Sequence, residues 1–288
     1  MAPVPRARRS RGAAARGALA IAFVLGLALC IQAARAAEHE DLRGWVRALS
    51  LPSPYRIPAS ARDGIIQYRI VEAPGAERRW TWPETGEQHV RATEDGVVLT
   101  VCRTCGREPA PDQPGLDRYL RPGPLVESDD PKIVSFARAG GGGSVDARMR
   151  RLVDAVQARM SGPVVHRDYA GARAALDARE GDCTEFALLL AAAARARGIP
   201  TRVAAGVAYG SRFVGRPHAF GPHMWVQAWN GERWVSYDAG LGRFDAGHLA
   251  LVVGDGSPAS LEGALDVLRR LRIAEASELR IEGPAVPE

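Results

Sequence analysis

Apolar positions along the chain change period several times, and each change marks an element. From Ile65 to Val71, and from Val97 to Val101 after the Asp95-Gly96 turn signal, strand-forming residues dominate. With the Trp80–Trp82 pair they predict a small β-rich unit. Pro109, Pro111, Pro114, Pro122 and Pro124 then exclude regular helix and central strand. Gly140 to Gly143 forms a break, after which Ser144 can cap a helix. In that helix Met149, Leu152, Val153, Val156 and Met160 recur at spacings of three and four until Pro163 stops it. A more apolar helix runs from Cys183 to about Arg197, opened by Asp182 and Glu185 in capping-box spacing and closed by Gly198 and Pro200. Strands are expected at Thr201–Tyr209, His223–Trp229 and Arg233–Asp238. A helix over Leu261–Leu271, a closing strand over Glu278–Ile281 and a short helical stretch around Trp45 complete the pattern. A central helix packed on an antiparallel sheet is an α+β layout.

Charge changes the picture only at the N-terminus. The 288-residue chain has a formal charge of +5, but Arg6, Arg8, Arg9, Arg11, Arg16 and Arg35 fall in a segment without acids, and without them the charge is −1. The remaining arginines are scattered among acids and form no stripe that could follow a phosphate backbone, so a nucleic-acid partner is not expected. The same segment reads as a secretory leader: basic start, uncharged run from Gly17 to Ala34, and Ala34-Arg35-Ala36 as a cleavage site. An uncleaved membrane anchor is the alternative, since 18 uncharged residues can just span a bilayer. The expected organisation is a signal peptide over 1–36, a β-rich region over 37–130, a catalytic domain over 131–256, and a C-terminal helix and tail over 257–288. The protein is then exported, periplasmic or secreted, and touches membrane only through an uncleaved leader.

Cys102, Cys105 and Cys183 remain beyond the leader, an odd number that leaves one thiol to explain. Cys102 and Cys105 suit a local disulfide in an oxidising compartment, with a redox motif or a partial metal site as alternatives. Cys183 falls in the first turn of its helix, where unpaired N–H groups and the helix dipole favour the thiolate, the nucleophilic form. Asn230-Gly231 between two strands signals a two-residue hairpin turn, which would set His223 directly opposite Asp238 on one face. A carboxylate there can orient the imidazole and leave its other nitrogen for a nucleophile. Tyr209, Trp225 and His218 are the candidate substrate contacts, His218 in a Gly/Pro-rich loop from Arg216 to Pro222. Trp225 can equally be core, His218 a solvated loop residue, and His248 reads as structural.

Gly181-Asp182-Cys183-Thr184-Glu185-Phe186-Ala187, followed by Arg195-Ala196-Arg197-Gly198-Ile199-Pro200-Thr201-Arg202, resembles the core of the transglutaminase-like superfamily. His223-Met224-Trp225 and Trp234-Val235-Ser236-Tyr237-Asp238 resemble its two later strand motifs, so the resemblance spans roughly Pro131 to Asp255. It implies a papain-like core, with Cys183 as nucleophile, His223 as general base and acid, and Asp238 as orienter. It further implies acyl transfer or hydrolysis on protein or peptide amides through a Cys183 thioester, with no cofactor and no metal. Tyr169 is a candidate second oxyanion donor. The alternative is a non-catalytic module that grips peptides or cell-wall fragments on the same fold.

Overall fold

The computed structural model describes residues 44, 46–73, 80–165, 170–261 and 263–279. The leader, Trp45, Tyr169 and Ile281 lie outside them. The described residues from 47 to 279 form one compact unit.

Two antiparallel sheets organise that unit. The first joins β1 (Leu51–Pro52), β6 (Arg216–Trp229), β5 (Thr201–Phe213) and β8 (His248–Gly254) in that order, with β7 (Trp234–Tyr237) also on β6. The second runs β3 (Gln88–Ala92), β4 (Gly96–Val101), β2 (Ile65–Glu72) and β9 (Leu271–Leu279). The main helices are α1 (Val145–Arg159), α2 (Ala172–Ala178), α3 (Cys183–Arg195) and α4 (Ala264–Leu268).

The first sheet is covered on both faces. Met224, Val226 and Ala228 of β6 pack with α1, α2 and α3 in one core, whereas Phe220 and Trp225 join Ile66, Tyr68 and Ile70 of the second sheet in another. That double burial makes β5 and β6 read as long apolar runs, while β2 alternates. α3 is buried along nearly its whole length from Glu185 to Arg195. Its Leu188, Leu189 and Leu190 are fully buried, each contributing roughly 1.5–3 kcal/mol.

Ser144 caps α1 by accepting from the Ala147 N–H at 3.3 Å. The expected loop before His223 is instead a continuation of the β5–β6 hairpin, paired out to Phe213 and Arg216 across a Val214-Gly215 turn. Both turn residues have positive φ, 44° and 78°. Pro217 and Pro222 fit into β6 because they fall outside residues 219–220 and 226–229, which pair with β1 and β7 on its other edge. Trp80 and Trp82 are not in a strand. The C-terminal segment does not stand apart: the expected helix is confined to Ala264–Leu268, and β9 starts at Leu271 and pairs with β2 of the N-terminal region.

Candidate active site

The site forms where the start of α3 meets a gap along β6. Between its pairings with β1 and β7, residues 221–225 of β6 have no strand partner on that edge among the described residues, and His223 sits in the gap. Cys183 is the first residue of α3. Its cap is fully formed: Asp182 Oδ1 accepts from the Thr184 N–H at 2.8 Å, and Glu185 Oε2 accepts from the Asp182 N–H at 2.9 Å. The Gly before Asp182 is required by that cap, because a Cβ on Gly181 would lie 2.7 Å from Glu185 Cβ and its φ is +155°. The motif residues 181, 182 and 185 thus build the helix start that holds the thiol.

Cys183 is a half-buried free thiol close enough to His223 to act on its charge. His223 Nε2 lies 2.8 Å from Asp238 Oδ2, which leaves Nδ1 for the sulfur. Asp238 accepts four hydrogen bonds: from His223, from His248 Nε2 at 3.1 Å, and on Oδ1 from the Gly240 and Leu241 N–H groups at 2.7 and 3.1 Å. Burial works against the charged form of this carboxyl, but the two imidazoles outweigh it and hold its pKa far below the usual range. Burial likewise lowers His223, yet its partners Asp238 and Cys183 prevail and raise it to about 9. Gly240 is exposed, and a Cβ there would come 3.3 Å from His223 Cε1 and 3.8 Å from Cys183 Cβ. Its missing side chain keeps the approach to the thiol open.

His223 and Asp238 meet, though not as direct cross-strand partners. The turn spans Asn230 to Arg233, with the Asn230 side chain accepting from the N–H groups of Glu232 and Arg233, and Trp229 pairs with Trp234. This register is two residues away from that of a two-residue turn and, continued past Tyr237, sets Asp238 opposite Trp225. A shift of two keeps side chains on the same face, so Asp238 reaches His223 diagonally.

Trp225 is buried and stacks behind His223, with ring centroids 6.1 Å apart, while its Nε1–H donates to Ser236 Oγ at 3.2 Å. Tyr209 is buried in the second core, its hydroxyl 3.0 Å from the Ile57 N–H and 3.0 Å from His218 Nδ1. His218 is half-buried on β6, not in a loop, with φ 45°. The structure thus buries Trp225 and Tyr209 in the second core, Trp225 against His223 and Tyr209 against His218, rather than presenting them as substrate contacts.

Two groups carried no usable sequence signal. His248 is buried, with Nε2 on Asp238 and Nδ1 3.1 Å from the Asp245 carbonyl and 3.3 Å from Asp245 Oδ1. Glu87 is buried beneath the β6–β7 pair, where it accepts from the Ser236 N–H at 2.9 Å. Burial raises Glu87 to about 7, against the opposing pull of Ser236. His223, Asp238 and His248 offer ligand atoms within 4.8 Å of one another. A metal would need each nitrogen about 2.0–2.1 Å from itself. Here both imidazole nitrogens are instead in direct hydrogen-bond contact with the same carboxylate oxygen. Cys102 and Cys105 are joined in a disulfide, leaving Cys183 as the free thiol among the described residues.

No curated protein sequence matches this chain. Among solved structures, a candidate cysteine protease from Cytophaga hutchinsonii aligns with 75% of this chain and 86% of its own, at 17% identity and a TM-score of 0.46. The periplasmic domain of TgpA from Pseudomonas aeruginosa aligns with 78% of this chain and 95% of its own, at 16% identity and a TM-score of 0.43. Residues 137–239, which include α1 to α3, β5 to β7, Cys183, His223 and Asp238, match the transglutaminase-like superfamily. That segment is a transglutaminase-like superfamily domain.

Proposed function

We propose that the protein is an exported cysteine enzyme that cleaves or transfers protein and peptide amides through a thioester on Cys183. The observation that carries this reading is the His223–Asp238 hydrogen bond at 2.8 Å with Cys183 beside the imidazole, both facing the open position at Gly240. Cys183 Sγ, as thiolate, adds to the amide carbonyl carbon, and the carbonyl electron pair moves onto oxygen. When the intermediate collapses, the C–N bond breaks with its electron pair going to nitrogen, which takes the proton from His223 Nδ1. His223 then accepts a proton from the attacking acceptor, and the thiolate leaves.

The oxyanion can be held by the Cys183 N–H, which has no acceptor among the described residues. One such donor is typically worth about 2.7–4 kcal/mol of barrier. Water as acceptor gives hydrolysis, and a primary amine gives transfer. Export is supported by the leader and by the Cys102–Cys105 disulfide, a bond suited to an oxidising compartment. No helix among the described residues is long and apolar enough to cross a membrane.

The test uses leader-free protein with iodoacetate, whose negative charge makes it sense the imidazolium beside the thiolate. Cys183 should be carboxymethylated across a plateau below pH 9, and the rate should fall as His223 loses its proton. His223→Ala should abolish both the low-pH reactivity and the alkaline fall. With a dimethylcasein substrate and a dansylated primary amine, Cys183→Ala should remove peptide release and amine incorporation alike, and the ratio of the two in the native enzyme identifies the acceptor. If Cys183 and His223→Ala proteins alkylate identically at every pH, the triad is not functional.

A further inference from the structure

The hydrogen-bonded line does not stop at Asp238. His248 Nε2 lies 3.1 Å from the Asp238 oxygen that also holds His223, and its Nδ1 is within 3.3 Å of Asp245 Oδ1. Asp245 Oδ2 accepts from Arg62 Nε at 2.9 Å. His223, Asp238, His248, Asp245 and Arg62 therefore form one row whose charges can alternate from imidazolium to guanidinium, starting beside Cys183. His248 and Asp245 lie beyond residues 137–239, so the family match says nothing of them. His248 is 3% exposed, and its ring is enclosed by Trp225, His223 and Phe244.

Resting on the proposed triad, we infer that His248 is a positioning residue for Asp238, serving as the buried cation that keeps this carboxylate ionised and aimed while His223 gives up its proton. The need follows from burial. Asp238 is 1% exposed, and a carboxylate so placed is costly to keep charged unless it is paired. In the step where His223 protonates the leaving amine, His223 becomes neutral and stops being that partner. Without a second cation, Asp238 would hold the His223 proton back and oppose its delivery. His248 remains charged because Asp245 sits on its far nitrogen. Despite the opposing effect of burial, its contacts with Asp238 and Asp245 raise it to about 9. The other ionisable groups acting on this cluster are Cys183 on His223, Arg62 and Tyr68 on Asp245, and Glu87 on the β3 side, and Glu87 is itself stabilised by the His248 charge.

The prediction has a sign that a purely structural role would not produce. Removing the His248 charge while keeping its hydrogen bond should make Asp238 bind the His223 proton more tightly. In His248→Gln, whose amide can still donate to Asp238, the alkaline fall in iodoacetate reactivity should move up by roughly 1–2 pH units relative to native protein. Asp245→Asn, which loosens the proton on His248, should move it the same way by less. A ¹⁵N NMR titration of the His223 ring in the same proteins should give matching shifts. If the native profile depends on His223 but both variants leave its alkaline limb in place, or merely lower reactivity evenly at all pH values, the role of His248 is refuted and the triad stands. If His223→Ala leaves the native profile intact, the triad itself fails, and the inference about His248 falls with it.

Discussion

Within the site, the decisive fact is how three buried ionisable residues share charge. His223 and His248 are each raised to about 9 in the folded chain, against about 6.5 when unfolded. A raised base contributes stability that is complete below its unfolded pKa and disappears as pH climbs through its folded one. Thermal midpoints should therefore fall between pH 6.5 and 9, by roughly 5–10 °C, and His248→Gln should flatten that decline in scanning calorimetry. Glu87, raised to about 7, acts in a lower window. An acid whose folded pKa is raised is more protonated in the folded state, so stability drops as pH rises from about 4.5 to 7, and Glu87→Gln should remove that portion. A pH–stability curve that is flat through both windows would contradict these assignments. Cys183, Asp182 and Glu185 could be read from residue order because a helix start is a local structure. His248 could not, since a lone histidine after Gly247 carries no sign that its ring will reach a carboxylate ten residues earlier.

Among elements, α3 does two jobs, and its two ends explain the two halves of the motif. The N-terminal half presents the thiol. At the C-terminal end Arg195 is buried and donates to the carbonyls of Thr201, Arg121 and Asp255 at 2.9, 3.0 and 2.7 Å. Burial lowers its pKa to about 10, well above neutrality, so it remains a cation tying three segments to the helix. Arg202 pairs with Glu108 and lies over the Trp234 ring, 4.4 Å from its centroid. These arginines hold elements together rather than meeting the thiol. Arg195→Ala should lower stability by about 2–3 kcal/mol, by leaving the buried Thr201 carbonyl and the part-buried carbonyls of Arg121 and Asp255 without this donor. The alkaline limb of Cys183 alkylation should stay in place in the same protein. A shift of that limb, or an unchanged thermal midpoint, would refute the structural role. The β5–β6 hairpin is the element whose pattern misled most. Its glycines and prolines look like a loop, yet both prolines fall where the β1/β7 edge of β6 has no strand partner among the described residues, so no ladder bond is lost on that edge.

Across the molecule, the first sheet has helices on one face and the second sheet on the other, and chain ends distant in sequence complete both sheets. β9 pairs with β2 along its whole length, and Leu271 and Ile273 enter the core that contains Trp225. Ending the chain before Leu271 should expose the β2 edge and that core. The shortened protein should be insoluble, or should lose the low-pH reactivity of Cys183; a soluble form with native reactivity would show that the second sheet does not support the site. Residue order by itself determined the α+β class, the capped helix that presents Cys183, and the pairing of His223 with Asp238. These depend on local capping and on a side-chain alternation of period two, which survived a turn two residues longer than expected. Only the tertiary structure decided that Trp225 backs the imidazole, that the C-terminal strand joins the N-terminal sheet, and that Asp238 has a second imidazole. Each of these depends on which segments far apart in the chain share a buried space, and there the enclosure of charge away from water, rather than the local pattern, selects the partners.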